Sequence, residues 1–282
     1  MVLEQIFDIE LSRKKPFFAF LYGILFTFVG FFVALMFFKG SLSLTTIFLI
    51  TLLLVPTLTH LLSLEERRER REGMKHFLKN HKDVVEVYLF AFLGVFVGYI
   101  LLGLLLGAHP SYDLVFKFQN GFLQGQEGLT ADLLFGFFQK IPEPSAAQLM
   151  SIISNNMAFV IVCFIFSLFY GASAIFLLIL NASVFANFIL FLLKNISGNL
   201  LSAVKIFFFF LIHLIPEVIG FLLAAIAGGV LSKALMSEKR GTDAYRNVVK
   251  DATLLLLMAF ALIVVGALLE VYVTTNLFFY FL

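Results

Sequence analysis

The sequence predicts an all-α, polytopic transmembrane helical bundle with five clear spans plus a broken or re-entrant helical hairpin. Three observations carry that prediction. The chain is 61% hydrophobic with 38 Phe, only 13% charged, and has a mean hydropathy of +1.01. No water-soluble domain keeps that much apolar surface out of water, so its solvent is largely lipid. Five runs, 16–38, 42–62, 84–107, 157–180 and 251–275, approach or exceed the roughly 20 apolar residues that cross a hydrocarbon core. None alternates with period two, so closed helices rather than a lipid-facing barrel satisfy the backbone, and strand content should be near nil.

Taken in order, residues 2–15 read as a short interfacial helix, with Val2, Ile6 and Ile9 at helical spacing and Arg13, Lys14 and Lys15 at the headgroups. The segment is too mixed in charge, and the next apolar run too long, for a secretory signal. After the first two runs, Ser63-Leu64-Glu65-Glu66 is a capping-box pattern opening a basic helix through about Lys79, with Glu66 and Arg70 one turn apart. Acids alternate with bases there, which suits anionic headgroups and argues against nucleic acid. Residues 1–83 thus form an interfacial helix, a helical hairpin and a basic helix. Residues 84–282 form a C-terminal membrane domain with an external segment, 108–156, and the hairpin, 181–232. Within the external segment, 130–140 and 145–153 read as short helices separated by Ile141-Pro142-Glu143-Pro144. Ser145 and Gln148 repeat the capping pattern, so the second helix can run straight into the fourth span.

Charge sets the expected orientation. Bases cluster at 13–15, at 67–82 and at 233–250, whereas 108–156 holds Lys117 and Lys140 against Asp113, Glu127, Asp132 and Glu143. The positive-inside rule makes the basic segments cytoplasmic and 108–156 external, with the N-terminus inside and the C-terminus outside a cell membrane. The stretch between 180 and the last basic loop must then cross an even number of times. Its first half is polar (Asn181, Asn187, Lys194, Asn195), which favours a hairpin entering and leaving from one leaflet over two full spans.

Small residues four apart, Gly94 with Gly98 and Gly103 with Gly107, let helix backbones approach closely in lipid. Gly220, Ala224 and Gly228 repeat that spacing after Pro216, so residues 218–231 should be buried against another helix, of this chain or of a symmetry mate in a homodimer. The single cysteine, Cys163, faces lipid or fills core.

The polar residues within these runs are the candidate site. His213 and Glu217, four apart, share a helix face, and Pro216 between them removes an amide proton and frees the carbonyl of Ile212. A carboxylate in the membrane costs roughly 2.5–3.5 kcal/mol on insertion scales, so Glu217 needs a partner, a proton or water. The functional reading is a proton or cation site; the structural one is a Glu–His hydrogen bond that fixes the hairpin. Asn155, Asn156 and Asn181 either line the same pathway or bond helix ends.

Enzyme patterns are missing. Gly171-Ala172-Ser173-Ala174 with His213 lacks the final glycine of an intramembrane serine protease, and no zinc, phosphate-loop or paired-aspartate motif is present. His213 and Glu217 supply two metal ligands at most, too few without a partner chain. The expectation is a non-enzymatic protein without metal or cofactor.

Asn155-Asn156, Tyr170-Gly171, Asn181-Ala182, His213-Leu214-Ile215-Pro216-Glu217 and Ala227-Gly228-Gly229, in that order, resemble the stage II sporulation protein M family over roughly residues 150–232. In that family a paired Asn opens a span, an Asn-Gly follows, and a His-Gly-x-x-Glu element precedes a small-residue helix; here Ala182 and Leu214 stand where glycines are usual. The resemblance implies envelope remodelling with peptidoglycan-processing partners, and a role in transport or membrane organisation is compatible with it. Two readings result: a transporter or channel-like protein for a proton, cation or small polar solute, and a membrane scaffold recruiting an envelope partner through 108–156 or 64–82.

Overall fold

The computed structural model describes residues 15–72, 77–107, 109, 111–125, 145–170, 173–195, 200–237 and 242–277. Among them every regular element is helical and no strand occurs. The elements are α1 (Phe17–Phe37), a 3-10 turn (Lys39–Ser41), α2 (Leu42–Glu72), α3 (Phe77–Leu106), α4 (Ser111–Val115), α5 (Lys117–Gly125), α6 (Ala146–Tyr170), α7 (Ser173–Asn195), α8 (Leu200–Ser237), α9 (Asp243–Leu269) and a π-helical turn (Glu270–Thr274). Seven of these helices, α1 to α3 and α6 to α9, are long and apolar enough to cross a membrane. The interfacial helix expected at 2–15, but for Lys15, and the external helix expected at 130–140 lie outside the described residues.

Local chemistry sets several boundaries. Pro16 opens α1, where its missing amide proton would have had no partner anyway. The Ser145 hydroxyl accepts the Gln148 amide at 3.1 Å, and α6 runs without interruption from that cap into the membrane, as the capping pattern suggested. Gly107, at φ 51°, terminates α3 in the left-handed conformation that glycine adopts without penalty. Thr242 caps α9 by accepting the Tyr245 amide at 3.2 Å.

Three expectations are corrected. Ser63 opens no helix: its hydroxyl donates to the Thr59 carbonyl at 3.0 Å and α2 continues through it for 31 residues, because Leu61, Leu62, Glu65 and Glu66 are all buried on a continuing face. The run 157–180 is not one span but is shared by α6 and α7, since uncharged Gly171-Ala172-Ser173 gives hydropathy nothing to mark the boundary. The hairpin expected at 181–232 is not broken: it is formed by α7 and the 38-residue α8, both continuous and of span length. Two polar residues of α7 turn inward and are bonded: Ser183 and Asn187 are buried against the short helix α5. Pro216 lies within an unbroken α8, its lost hydrogen bond tolerated in a helix whose flanks are packed.

Two helix groups form the bundle. In the first, α1 and α3 pack closely: a Cβ on Gly23 would sit 2.7 Å from the Ala91 carbonyl, one on Gly94 would strike the Phe20 carbonyl, and one on Gly98 would lie 2.8 Å from Thr27. In the second, α8 lies between α6 and α9. Gly220 faces the Ala259 carbonyl of α9, and Gly228 faces the Phe164 carbonyl of α6. The Ser167 hydroxyl donates to the Ala225 carbonyl at 2.6 Å, which is possible only at that approach. Residues 218–231 are therefore buried as expected, but by helices of the same chain, so the Gly220–Ala224–Gly228 stripe is not open to a symmetry mate. Helices α2 and α7 join the groups, and Cys163 is fully buried filler.

Candidate functional site

Helix α8 carries His213, Pro216 and Glu217 where it meets α6 and α9. Glu217 is 4% exposed, and Asn156 of α6 donates its amide to Glu217 Oε1 at 2.8 Å. Opposite, Gly266 of α9 makes room for the acid, because a Cβ there would press on the Glu217 side chain. One turn on, Glu270 lies near enough for the two carboxylates to feel each other's charge. His213, also 4% exposed, places Nδ1 3.0 Å from the Thr274 hydroxyl and its ring edge-on to Phe210 at 4.6 Å.

Glu270 and Thr274 begin and end the π turn of α9. Such a turn inserts a residue into the helical register and redirects the side chains around it, and π turns are frequent at functional sites. The Thr275 hydroxyl donates to the Glu270 carbonyl at 2.8 Å, beside the Thr275 backbone amide that closes the wider turn on the same oxygen. Thr274 also reaches the Phe209 carbonyl, at 3.4 Å.

The paired acid and imidazole expected on α8 do not bond to each other. Both lie on one face, but Asn156 engages Glu217 while Thr274 engages His213, each from a neighbouring helix at hydrogen-bond distance. Of the other candidates, Asn155 is exposed on α6 and stays outside the cluster. Asn181 sits on α7 with its amide nitrogen buried and unbonded by protein, and no hydrogen bond joins it to Glu217 or His213. Pro216, Gly220, Ala224 and Gly228 serve continuity and packing of α8. Ala182 and Leu214, at 0% and 1% exposure, put core side chains where family glycines would bring backbones together.

Two polar clusters escaped the sequence reading. His81 of α3 contacts Glu65 Oε1 of α2 through Nδ1 at 2.9 Å and Asp251 Oδ2 of α9 through Nε2 at 2.8 Å, with both acids 1% exposed. Carboxylates only accept, so this geometry calls for a hydrogen on each ring nitrogen. The trio does not form a group that could hold a metal ion. A signal existed at Asp251, flanked by Val248, Ala252 and Leu255 on one helical face; Glu65 carried none, because it stands among bases that read as solvated. The second cluster ties α5 to the bundle. Gln119 accepts from Ser43 at 2.6 Å and donates to Ser183 at 3.1 Å, while Asn187 donates to Asn120 at 2.7 Å.

Comparison with known proteins agrees with this architecture. The family model for stage II sporulation protein M matches residues 87–275, from α3 through the π turn and including every residue of the Glu217 cluster. No curated protein and no solved structure matches the chain. A match over most of the chain, on a helical bundle with seven membrane-length helices, establishes the protein as a multi-pass membrane protein belonging to the stage II sporulation protein M family.

Proposed function

We propose that the chain is a non-enzymatic transporter or channel-like protein, in which Glu217 with His213, Asn156 and Glu270 handles a proton, cation or small polar solute. The observation that carries the reading is the pair of glutamates, Glu217 and Glu270, on facing helices without an ion-pair partner among the described residues. A buried acid on α8 with a second, half-buried acid on the facing α9 is costly for stability alone, and intramembrane carboxylates mark ion and proton pathways. The orientation that accompanies this reading puts the α2–α3 and α8–α9 connections in the cytoplasm. The three membrane-length helices α6, α7 and α8 give the same odd number of crossings as one span plus a pair, so the basic connections stay together.

The test is flux in proteoliposomes loaded with a pH-sensitive dye, with proton, sodium and potassium gradients imposed in turn. Wild type should conduct at least one of them, and Glu217→Gln should lower that flux by an order of magnitude. Flux unchanged by Glu217→Gln would remove Glu217 from the pathway.

A second reading, a scaffold that recruits an envelope protein, is favoured by the near-complete burial of Glu217, at 4% exposure, and its hydrogen bond to Asn156. Absence of all three fluxes in wild type would select it.

A further inference from the structure

At the end of the bundle away from the His81 trio, the Lys39–Ser41 turn and the first turn of α2 face the short helices α4 and α5 across a cavity of about 520 Å³. Its walls are apolar: Leu42, Leu44, Leu114 and Phe118, the last three 39–43% exposed. Two cations line it, Lys39 and Lys117, both exposed and neither paired among the described residues. Among the described residues no acidic side chain lines it. The groove is built rather than incidental, because fully buried Gln119 of α5 and its bonds to Ser43 and Ser183 fix one wall against the other.

The groove also lies at a defined depth. It begins where α1 ends and α2 starts, and α4 and α5 follow directly on the end of α3, so three membrane-length helices place it at the lipid–water boundary. Molecules there have a charged head and an apolar body. The N-terminal end of the α2 helix dipole, with no acid in its first turn, adds to the positive potential of the lysines. A free anion would satisfy the lysines and leave the leucine and phenylalanine walls in water; a neutral lipid would do the reverse. We propose that this groove binds one anionic phospholipid, with its phosphate between Lys39 and Lys117 and the start of an acyl chain along Leu44, Leu114 and Phe118. Lysines at this level extend to the headgroup while their stems cover apolar surface.

The full-length protein in neutral detergent is titrated with dioleoyl phosphatidylglycerol or dioleoyl phosphatidylcholine and lipid retention is read by native mass spectrometry. Wild type should retain one phosphatidylglycerol in preference to phosphatidylcholine. Lys39→Gln with Lys117→Gln should weaken retention roughly tenfold to thirtyfold, the loss expected for two surface cations. Lys82→Gln, an exposed lysine of α3 paired with Glu86, should leave it unchanged. A second variant fills the groove without altering charge: a Cβ on Gly121 would meet nothing within 4 Å, so Gly121→Phe should also abolish retention. Equal retention of the two lipids, retention indifferent to both groove variants, or displacement of phosphatidylglycerol by millimolar inorganic phosphate would each overturn the proposal.

Discussion

His81 is the residue whose removal should cost most. Its ring separates two buried carboxylates on different helices, and breaking such a contact leaves charge uncompensated at a penalty of about 3–5 kcal/mol. His81→Leu should therefore sharply lower the thermal unfolding midpoint in detergent. Adding Glu65→Gln and Asp251→Asn should recover much of the loss. If the single and triple variants melt together, the trio contributes no net coupling. Glu217 makes a contrasting case: Gln keeps the size and can still bond Asn156, so Glu217→Gln should leave the unfolding free energy within about 1 kcal/mol of wild type while changing flux. At this scale the sequence made Glu217 and His213 legible because ionisable residues stand out in an apolar run. Their partners were not legible: nothing in spacing says that Asn156 turns inward while Asn155 turns outward, since that depends on which side of α6 meets α8.

Among the helices, glycine positions decide which pairs approach. Gly228→Leu would drive a side chain into the α6 backbone at Phe164, and Gly94→Leu would do the same to α1 at Phe20. Each should destabilise by about 1–3 kcal/mol or more, checked by thermal melts, whereas Gly40→Ala, with open space around its Cβ, should have almost no effect. Ser145→Ala should remove the α6 cap, at about 1 kcal/mol, visible as faster amide exchange over residues 146–149. Hydropathy located apolar runs well but did not divide them: 157–180 belongs to two helices, and α7 looked too polar to span because Ser183 and Asn187 bond to α5 from the far side of a long stretch of sequence.

Over the whole molecule, two membrane-length helices in place of a hairpin change the side on which α7 ends. The α8 helix rises about 57 Å at 1.5 Å per residue, well beyond a hydrocarbon core of roughly 30 Å, so it is long enough for its two ends to reach opposite faces. In a Cys163→Ala background, cysteines placed at Asn195 and Thr242 should react with an impermeant maleimide from opposite sides of sealed vesicles. Labelling of both from one side would restore the hairpin and withdraw the seven-helix arrangement. What the sequence by itself determined is the solvent and the class: long apolar runs without alternation have no stable form in lipid except bundled helices, and that follows from composition and period alone. What only the tertiary structure decided is the polar interior, from the Asn156–Glu217 contact to the His81 trio. Polar side chains in an apolar medium take whichever partner the packing brings within about 3 Å, and those partners here lie from 16 to 170 positions apart along the chain.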